Sequence, residues 1–315
     1  MAVKVAILGT GSIGLRHYHC FSGLDGVEAV AVPARPERVR ELRGDGVEAA
    51  DAVPSDASGV VIATDTARHL ADWAQFADRF CLVEKPLAGD PSPGLAELVR
   101  QTQGRAFTAC VLRFHKTLSA FKDLIDAGPD RPKEVFIKCH SFLPDWRPGR
   151  DYRTLYSAQP GQGGALRELI HEIDYAGWIF GWPETVHGRV ASTGKIEVAD
   201  EDRAVFRTES QGVKARFNFS LSSKIGARRA TAIYAGETVT ADLIRQELTV
   251  EGRPDQNQRF NEERDGMYIR QAEAFVRAIQ GGNPGPLATA CEGQKALDVC
   301  QAVRLSSQTG QPVTL

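Results

Sequence analysis

The hexapeptide GTGSIG, residues 9–14, limits what this chain can fold into more than any other segment. It comes after the apolar run VKVAILG (3–9) and opens a stretch with helical apolar spacing from Ser12 to about Leu24. Three glycines in G-x-G-x-x-G spacing at a first strand-to-helix turn fit a dinucleotide-binding turn. Gly9 permits a tight turn, Gly11 lets backbone approach a pyrophosphate, and Gly14 lets the helix pack close to the strand. The helix N-terminus then faces the phosphates. A lone match to this pattern is weak, so its weight comes from the segments downstream.

Those segments alternate between strand and helix patterns. VEAVAV (27–32), GVVIAT (59–64), FCLVEK (80–85) and AFTACVLRF (106–114) read as buried strands. Between them, residues 36–44, 67–77 and 92–103 carry helical spacing, with Pro93 tolerated in a first turn. Alternation of this kind gives a doubly wound parallel sheet with right-handed crossovers, a Rossmann domain. From about residue 133 the texture changes. Residues 134–142, 185–192, 202–210, 212–223 and 229–236 read as longer, half-buried strands of a mostly antiparallel sheet. A helix over 163–180 precedes most of them, and helices over 268–281 and 289–310 close the chain. The expected fold class is α/β: an N-terminal Rossmann parallel sheet plus a C-terminal α+β domain with a large open sheet. The boundary falls near residues 116–132, giving a dinucleotide-binding domain over 1–118 and a substrate-binding and oligomerisation domain over 119–315.

A length of 315 residues suits two domains. The net charge of −2 supplies no global basic field, so neither nucleic acid nor a membrane is an expected partner. No stretch approaches the roughly 18 apolar residues of a membrane span, and the N-terminal apolar run is too short for a signal peptide. Six scattered cysteines without a C-x-x-C pair suggest neither a zinc site nor a disulfide framework. A reduced, cytoplasmic protein is the simplest expectation.

Two strand ends carry chemistry. CLVEKPLA (81–88) ends an apolar strand with Glu84 and Lys85 directly before Pro86. That places both charges at the carboxyl edge of the parallel sheet, where ligands of open α/β sheets sit. The second strand ends differently. An acid there would hold the adenosine ribose 2′-hydroxyl, but the chain reads Pro33, Ala34, Arg35, Pro36. Nothing at that point repels a 2′-phosphate, and Arg35 is placed to meet one or to remain a solvated charge. The cofactor is NAD or NADP, with both open.

The order GTGSIG, IATDTARH, EKP resembles the Gfo/Idh/MocA oxidoreductases, and the resemblance spans nearly the whole chain. It implies that Lys85 lies beside the nicotinamide and touches the reacting hydroxyl, often next to a cis-proline. A cation there would stabilise a developing alkoxide and could relay its proton. Ser12, Ile13, Thr64, His69 and Glu84 join the three glycines, Arg35 and Lys85 as cofactor-side candidates. Asp65 replaces a proline common in relatives, and Val111 stands where relatives often carry an asparagine two residues before the arginine matched by Arg113.

The segment GGALRELIHEIDYAGWIFG (163–181) supplies the other half of the expected chemistry. On one helix, Glu168, His171 and Asp174 (or Tyr175) would share a face. The resemblance implies that His171 is the base or the partner of the reacting hydroxyl. Asp174 would orient it, and Glu168 stands near the position of a family aspartate. His171 suits that role because an unperturbed imidazole titrates near neutrality. Upstream, the loop-like residues 140–164 carry Arg147, Arg150, Tyr152 and Tyr156, suited to an anionic group and a sugar face. Arg113 is a further substrate-side candidate. GARRA (226–230) and the arginines of RVRELR (38–43) read as solvated faces. His69, His115 and His140 read mainly as local structural residues.

The expected activity is an NAD(P)-dependent hydride transfer at a ring carbon of an anionic sugar, with C3 of a UDP-N-acetylhexosamine as a concrete candidate. No metal is expected, and the resemblance implies a homodimer or homotetramer through the C-terminal sheet. Three rivals remain: an NAD-dependent glycoside hydrolase of the same superfamily, an inositol or free-sugar dehydrogenase, and a non-catalytic nucleotide sensor.

Overall fold

The computed structural model describes residues 2–315. The chain forms two compact units. One comprises the residues up to Phe114 together with Glu263–Gln294, and the other His115–Glu262 with Lys295–Leu315.

The first unit begins with β1 (Val3–Leu8), α1 (Ser12–Ser22), β2 (Val27–Val32), α2 (Arg38–Gly44) and β3 (Gly59–Ile62). It continues with α3 (His69–Ala74), β4 (Phe80–Val83), α4 (Pro93–Gln101) and β5 (Ala106–Thr108). The five strands are parallel in the order β5-β4-β3-β1-β2, with Ala288–Thr289 added antiparallel beside β5. Ala31, Ile7, Val61 and Leu82 lie in register across the sheet and are fully buried. A parallel sheet covered on both faces needs apolar residues on both sides of each strand, so these segments are continuous apolar runs. The strand order reverses between β1 and β3, so the turns after these strands flank the point where such sheets bind ligands. Ser92 caps α4 by accepting from Leu95 N at 3.1 Å, and Pro93 occupies the first turn where its missing N–H costs nothing.

One face is sealed by the helix Gly266–Ile279. Its Phe275 meets Phe21 and Phe107 edge to face at 6.0 and 6.3 Å between centroids. A Cβ on Gly59 would stand 2.7 Å from Ile279 Cδ1 and 2.9 Å from Phe275 Cε1, so the glycine is what lets this helix pack so close. The expected strand over 106–114 stops at Thr108, and Val111–Phe114 forms a 3₁₀ turn. An unbroken apolar run is compatible with either geometry once fully buried.

The second unit contains α5 (Lys116–Ala127), β6 (Glu134–Phe142), α6 (Ala165–Glu168), α7 (Ile170–Phe180), β7 (Thr185–Ala191) and β8 (Arg203–Ser210). It adds β9 (Val213–Ser220), β10 (Ser222–Ile233), β11 (Thr238–Asp242), β12 (Glu247–Val250) and β13 (Gln258–Arg259). They form a nine-stranded sheet, β13-β12-β11-β10-β6-β9-β8-β7 followed by Val313–Thr314, antiparallel except for the β6–β9 pair. Alternation is plain in β8, where Ala204, Phe206, Thr208 and Ser210 face inward and the residues between them face solvent. Phe206 and Phe217 stack at 4.3 Å on the covered face.

Two expectations are corrected by the fold. The expected strand over 212–223 is two strands that part at Leu221, whose N–H donates to Asp202 O at 2.8 Å. GARRA forms the middle of β10 and is only partly a solvated face: Gly226 and Arg229 are exposed, whereas Arg228 is half-buried and Ala230 buried. Arg228 donates to both oxygens of the fully buried Glu172, at 2.6 and 3.1 Å, and Arg229 donates to Asp242 at 2.6 Å. Among the described residues no helix is long and apolar enough to cross a membrane.

Candidate functional site

The glycine turn of the first unit is shaped by the chain on two sides and open on a third. Gly9 has φ +97°, and a Cβ there would stand 2.5 Å from Ala63 O. A Cβ on Gly14 would stand 1.9 Å from Gly9 O. Packing alone therefore demands both glycines. A Cβ on Gly11, in contrast, meets nothing within 4 Å. Gly11 precedes α1 without any side-chain cap, which leaves the first-turn amides of an eleven-residue helix to other acceptors. These features fit a dinucleotide pyrophosphate. Gly9, Gly11, Arg35 and Thr64 line one cleft of about 160 Å³, and Ser12 and Ile13 come directly after in the first turn of α1. Arg38 lines the same cleft, which corrects its reading as a purely solvated residue.

The Glu84-Lys85-Pro86 segment comes after β4, with a cis Lys85–Pro86 bond. Glu84 turns inward. Its Oε1 lies 2.7 Å from His17 Nε2, and its Oε2 accepts from Lys85 N at 3.1 Å. Burial favours the neutral acid, but the His17 hydrogen bond and the charges of His17 and Lys85 outweigh it, holding the carboxyl below its usual range. The Tyr268 ring meets His17 edge on at 5.9 Å, closing the pair from above. Glu84 thus anchors the strand end through the chain's own groups.

His69 is 1% exposed, with Nδ1 2.8 Å from Pro86 O and Nε2 3.0 Å from Thr64 O. It ties the end of β3 to the proline after Lys85, so it supports the cofactor turn from behind. The Thr64 hydroxyl donates to Asp72 at 2.7 Å. Sequence proximity marked these residues, but only the fold shows that their side chains face the protein.

A depressed carboxyl stabilises the fold above its unfolded pKa, near 4.5, and that contribution is lost as pH falls through the lower folded value. Thermal melts from about pH 7 to about pH 3 should therefore fall more steeply for the wild type than for Glu84→Gln. Parallel profiles would show that Glu84 carries no such linkage.

Arg113 sits in the 3₁₀ turn after β5, 1% exposed, with Nη1 3.0 Å from Glu292 Oε1. Glu292 also accepts from Thr289 N and Oγ1 at 2.8 and 3.0 Å, so Arg113 is bolted to the start of the last helix within the first unit.

In the second unit, the helix expected over 163–180 is broken. Leu169, at φ −102° and ψ 27°, separates α6 from α7. His171 and Asp174 share a face of α7, but Glu168 ends the shorter helix and is not on that continuous face. Residues that sequence patterns did not single out hold this corner. Glu201 O accepts from Ala165 N at 2.7 Å, and Glu201 Oε1 accepts from Leu166 N at 3.2 Å and Arg304 Nη2 at 2.9 Å. Arg167 Nη1 donates to Asp200 at 3.1 Å. Glu201 and Arg304 are 103 residues apart, so no local pattern could have paired them.

The arginine-aromatic loop is folded into three 3₁₀ turns. The Tyr152 hydroxyl accepts from Glu197 N at 2.9 Å, which gives that ring a place in the loop's own scaffold. Arg147 lies over the Tyr156 ring at 5.9 Å, and Arg150 is exposed.

Residues 132–240 match the GFO/IDH/MocA C-terminal domain model. The chain is 22% identical to the UDP-N-acetylglucosamine 3-dehydrogenase of Acidithiobacillus ferrooxidans over 296 aligned positions, 90% of each chain. It is 27% identical to inositol 2-dehydrogenase 1 of Saccharopolyspora erythraea, covering 99% of this chain and 96% of the relative. It shares the fold of the WlbA dehydrogenase from Bordetella pertussis, solved in complex with NADH and UDP-GlcNAcA. That match has a TM-score of 0.83 at 17% identity, over 100% of this chain and 98% of the other.

Proposed function

We propose that the chain is a member of the Gfo/Idh/MocA family and an NAD(P)-dependent oxidoreductase acting on a ring carbinol of an anionic or nucleotide-linked sugar, a reading supported by the C-terminal domain match over residues 132–240. The observation that carries this reading is Lys85, half-buried at the carboxyl end of β4, in a segment anchored by Glu84 and His69 beside a turn shaped for a dinucleotide. The nicotinamide, when bound, supplies C4 as hydride acceptor or donor. Gly9, Gly11 and Gly14 seat the pyrophosphate. Lys85 stabilises the negative charge that builds on the substrate oxygen as its proton leaves. His171 takes that proton in oxidation and returns it in reduction, and Asp174 orients the imidazole. Oxidation thus moves a hydride to the cofactor and a proton to the histidine, and leaves a ketone.

Arg147 and Arg150 hold the anionic group of the substrate, and Tyr156 offers a ring face to the sugar. The most specific form of the reading is oxidation at C3 of a UDP-N-acetylhexosamine, supported by the likeness to the Acidithiobacillus enzyme. The outward face of the nine-stranded sheet, with Phe136 and Val205 at 38% and 44% exposure, is the proposed self-association surface.

The test is nicotinamide absorbance with NAD or NADP and a panel of UDP-sugars, free hexoses, inositols and acidic sugars. Reduction with a UDP-sugar, with KM raised roughly tenfold or more by Arg147→Ala or Arg150→Ala, is the expected result. Turnover of neutral polyols alone would remove the anionic substrate and leave the dehydrogenase.

A further inference from the structure

We infer that the cleft beside the glycine turn selects NADP(H), and that Arg38 acts with Arg35 as the ligand of the adenosine 2′-phosphate. The inference rests on the dehydrogenase reading only in taking the ligand to be a nicotinamide dinucleotide.

The end of β2 borders the glycine turn, since Gly9 N donates to Val32 O at 2.9 Å. In a doubly wound sheet the adenosine ribose lies at this strand end. Here the chain continues with Pro33, Ala34 and Arg35, which supply no carboxylate for a ribose hydroxyl. Arg38 N donates to Arg35 O at 3.1 Å, and this turn returns the chain so that both arginines line the cleft.

Arg38 is not a satisfied structural arginine. Its Nε is buried without a hydrogen-bond partner, and it has no ion pair among the described residues. Arg43, one and a half turns further along α2, shows the alternative: its Nε and Nη2 both donate to Ala49 O, at 3.0 and 2.7 Å. Arg105 likewise donates to backbone carbonyls at Ala77 and Gln101. A buried donor that the protein leaves unmatched is costly unless a ligand completes it. Arg68 also lines the cleft, but its guanidinium is engaged with Asp72 at 3.0 Å. Asp65, on the β3 side, is the one carboxylate among the lining residues. Two guanidinium groups without acidic partners suit a phosphate dianion, which offers several charged acceptors in the geometry of the guanidinium fork. A ribose hydroxyl offers one neutral acceptor and leaves both charges uncompensated.

The test needs no substrate and no turnover. Calorimetry on the full chain would compare adenosine 2′,5′-bisphosphate with 5′-AMP, which differ by the 2′-phosphate alone. The bisphosphate is expected to bind at least about thirtyfold more tightly, and to weaken with added salt, because charge-assisted contacts are the strong ones. Arg38→Ala and Arg38→Gln should each cut the bisphosphate affinity by roughly tenfold or more. Both should leave 5′-AMP binding within about twofold, since a neutral hydroxyl does not depend on the charge. Melting curves that match the wild type confirm that the variants are folded. Equal affinity for the two nucleotides, or an unchanged ratio in both Arg38 variants, would overturn the inference and leave the dehydrogenase standing. Failure of both nucleotides to bind would overturn the dinucleotide reading together with it.

Discussion

Lys85→Ala is expected to lower kcat by about a thousandfold while leaving the dissociation constant of the dinucleotide within about threefold. The separation of the two effects comes from how the segment is built. The His69 contact to Pro86 O and the Glu84 contacts to His17 and Lys85 N involve the backbone of residue 85 or its neighbours. Removing the ammonium leaves that frame in place. On the proposed mechanism, what is lost is stabilisation of an oxyanion that exists only as the reaction proceeds, so the loss falls on kcat rather than on ground-state binding. Lys85→Arg keeps the charge but spreads it over a planar fork of different reach, and should recover only a small part of the rate. Cofactor titration, steady-state kinetics and a melt on the same preparation check all three statements. A Lys85→Ala protein that turns over within tenfold of the wild type would remove the lysine from the mechanism.

Glu172→Ala is expected to be the most destabilising single change in the second unit, by about 3–5 kcal/mol. Glu172 is fully buried on α7, and its two oxygens accept from Arg228 on β10. Truncation strands the guanidinium of Arg228 beside the buried Tyr175 hydroxyl, which has no hydrogen-bond partner. Burial, reinforced by the Glu172 charge, already pushes that phenol up from its ordinary range. At about 2–4 °C per kcal/mol for a unit of this size, the melting temperature should fall by roughly 6–20 °C. Replacing both partners with apolar residues, Glu172→Met with Arg228→Leu, should recover much of the loss, because the single change leaves one charge uncompensated. A drop of less than about 1 kcal/mol for the alanine variant would mean that the pair is solvated in practice. The same ion pair fixes α7, which carries His171 and Asp174, so activity should fall alongside stability.

Legibility in the sequence tracked sequence separation. The parallel strands were plain because burial on both faces writes them as unbroken apolar runs: residues 27–32 form a strand with the same limits in the structure. The glycine turn was plain because Gly9 and Gly14 are demanded by contacts within a few residues or at the next strand end. The break at Leu169 was not legible, since residues on both sides of it keep apolar spacing while Glu201 and Arg304, far away in sequence, fix the corner. Arg228 read as a surface charge because its partner lies 56 residues earlier. Arg38 and Arg43 sit on one short helix with the same local composition, and only the fold shows that Arg43 finds a carbonyl and Arg38 a cleft.

The helix Gly266–Ile279, which brings Phe275 against Phe21 and Phe107, also sets an order of events during synthesis. Phe275 leaves the ribosome 168 residues after Phe107, a delay on the order of ten seconds at ordinary elongation rates. Through that interval the sheet face at Gly59 stands without its cover, an apolar surface open to a chaperone or to a second nascent chain. For the same reason, an exchange of dinucleotide-binding modules between relatives must carry two pieces of chain. Residues up to Phe114 transplanted without 263–294 would bring a parallel sheet lacking the aromatic plug that closes it.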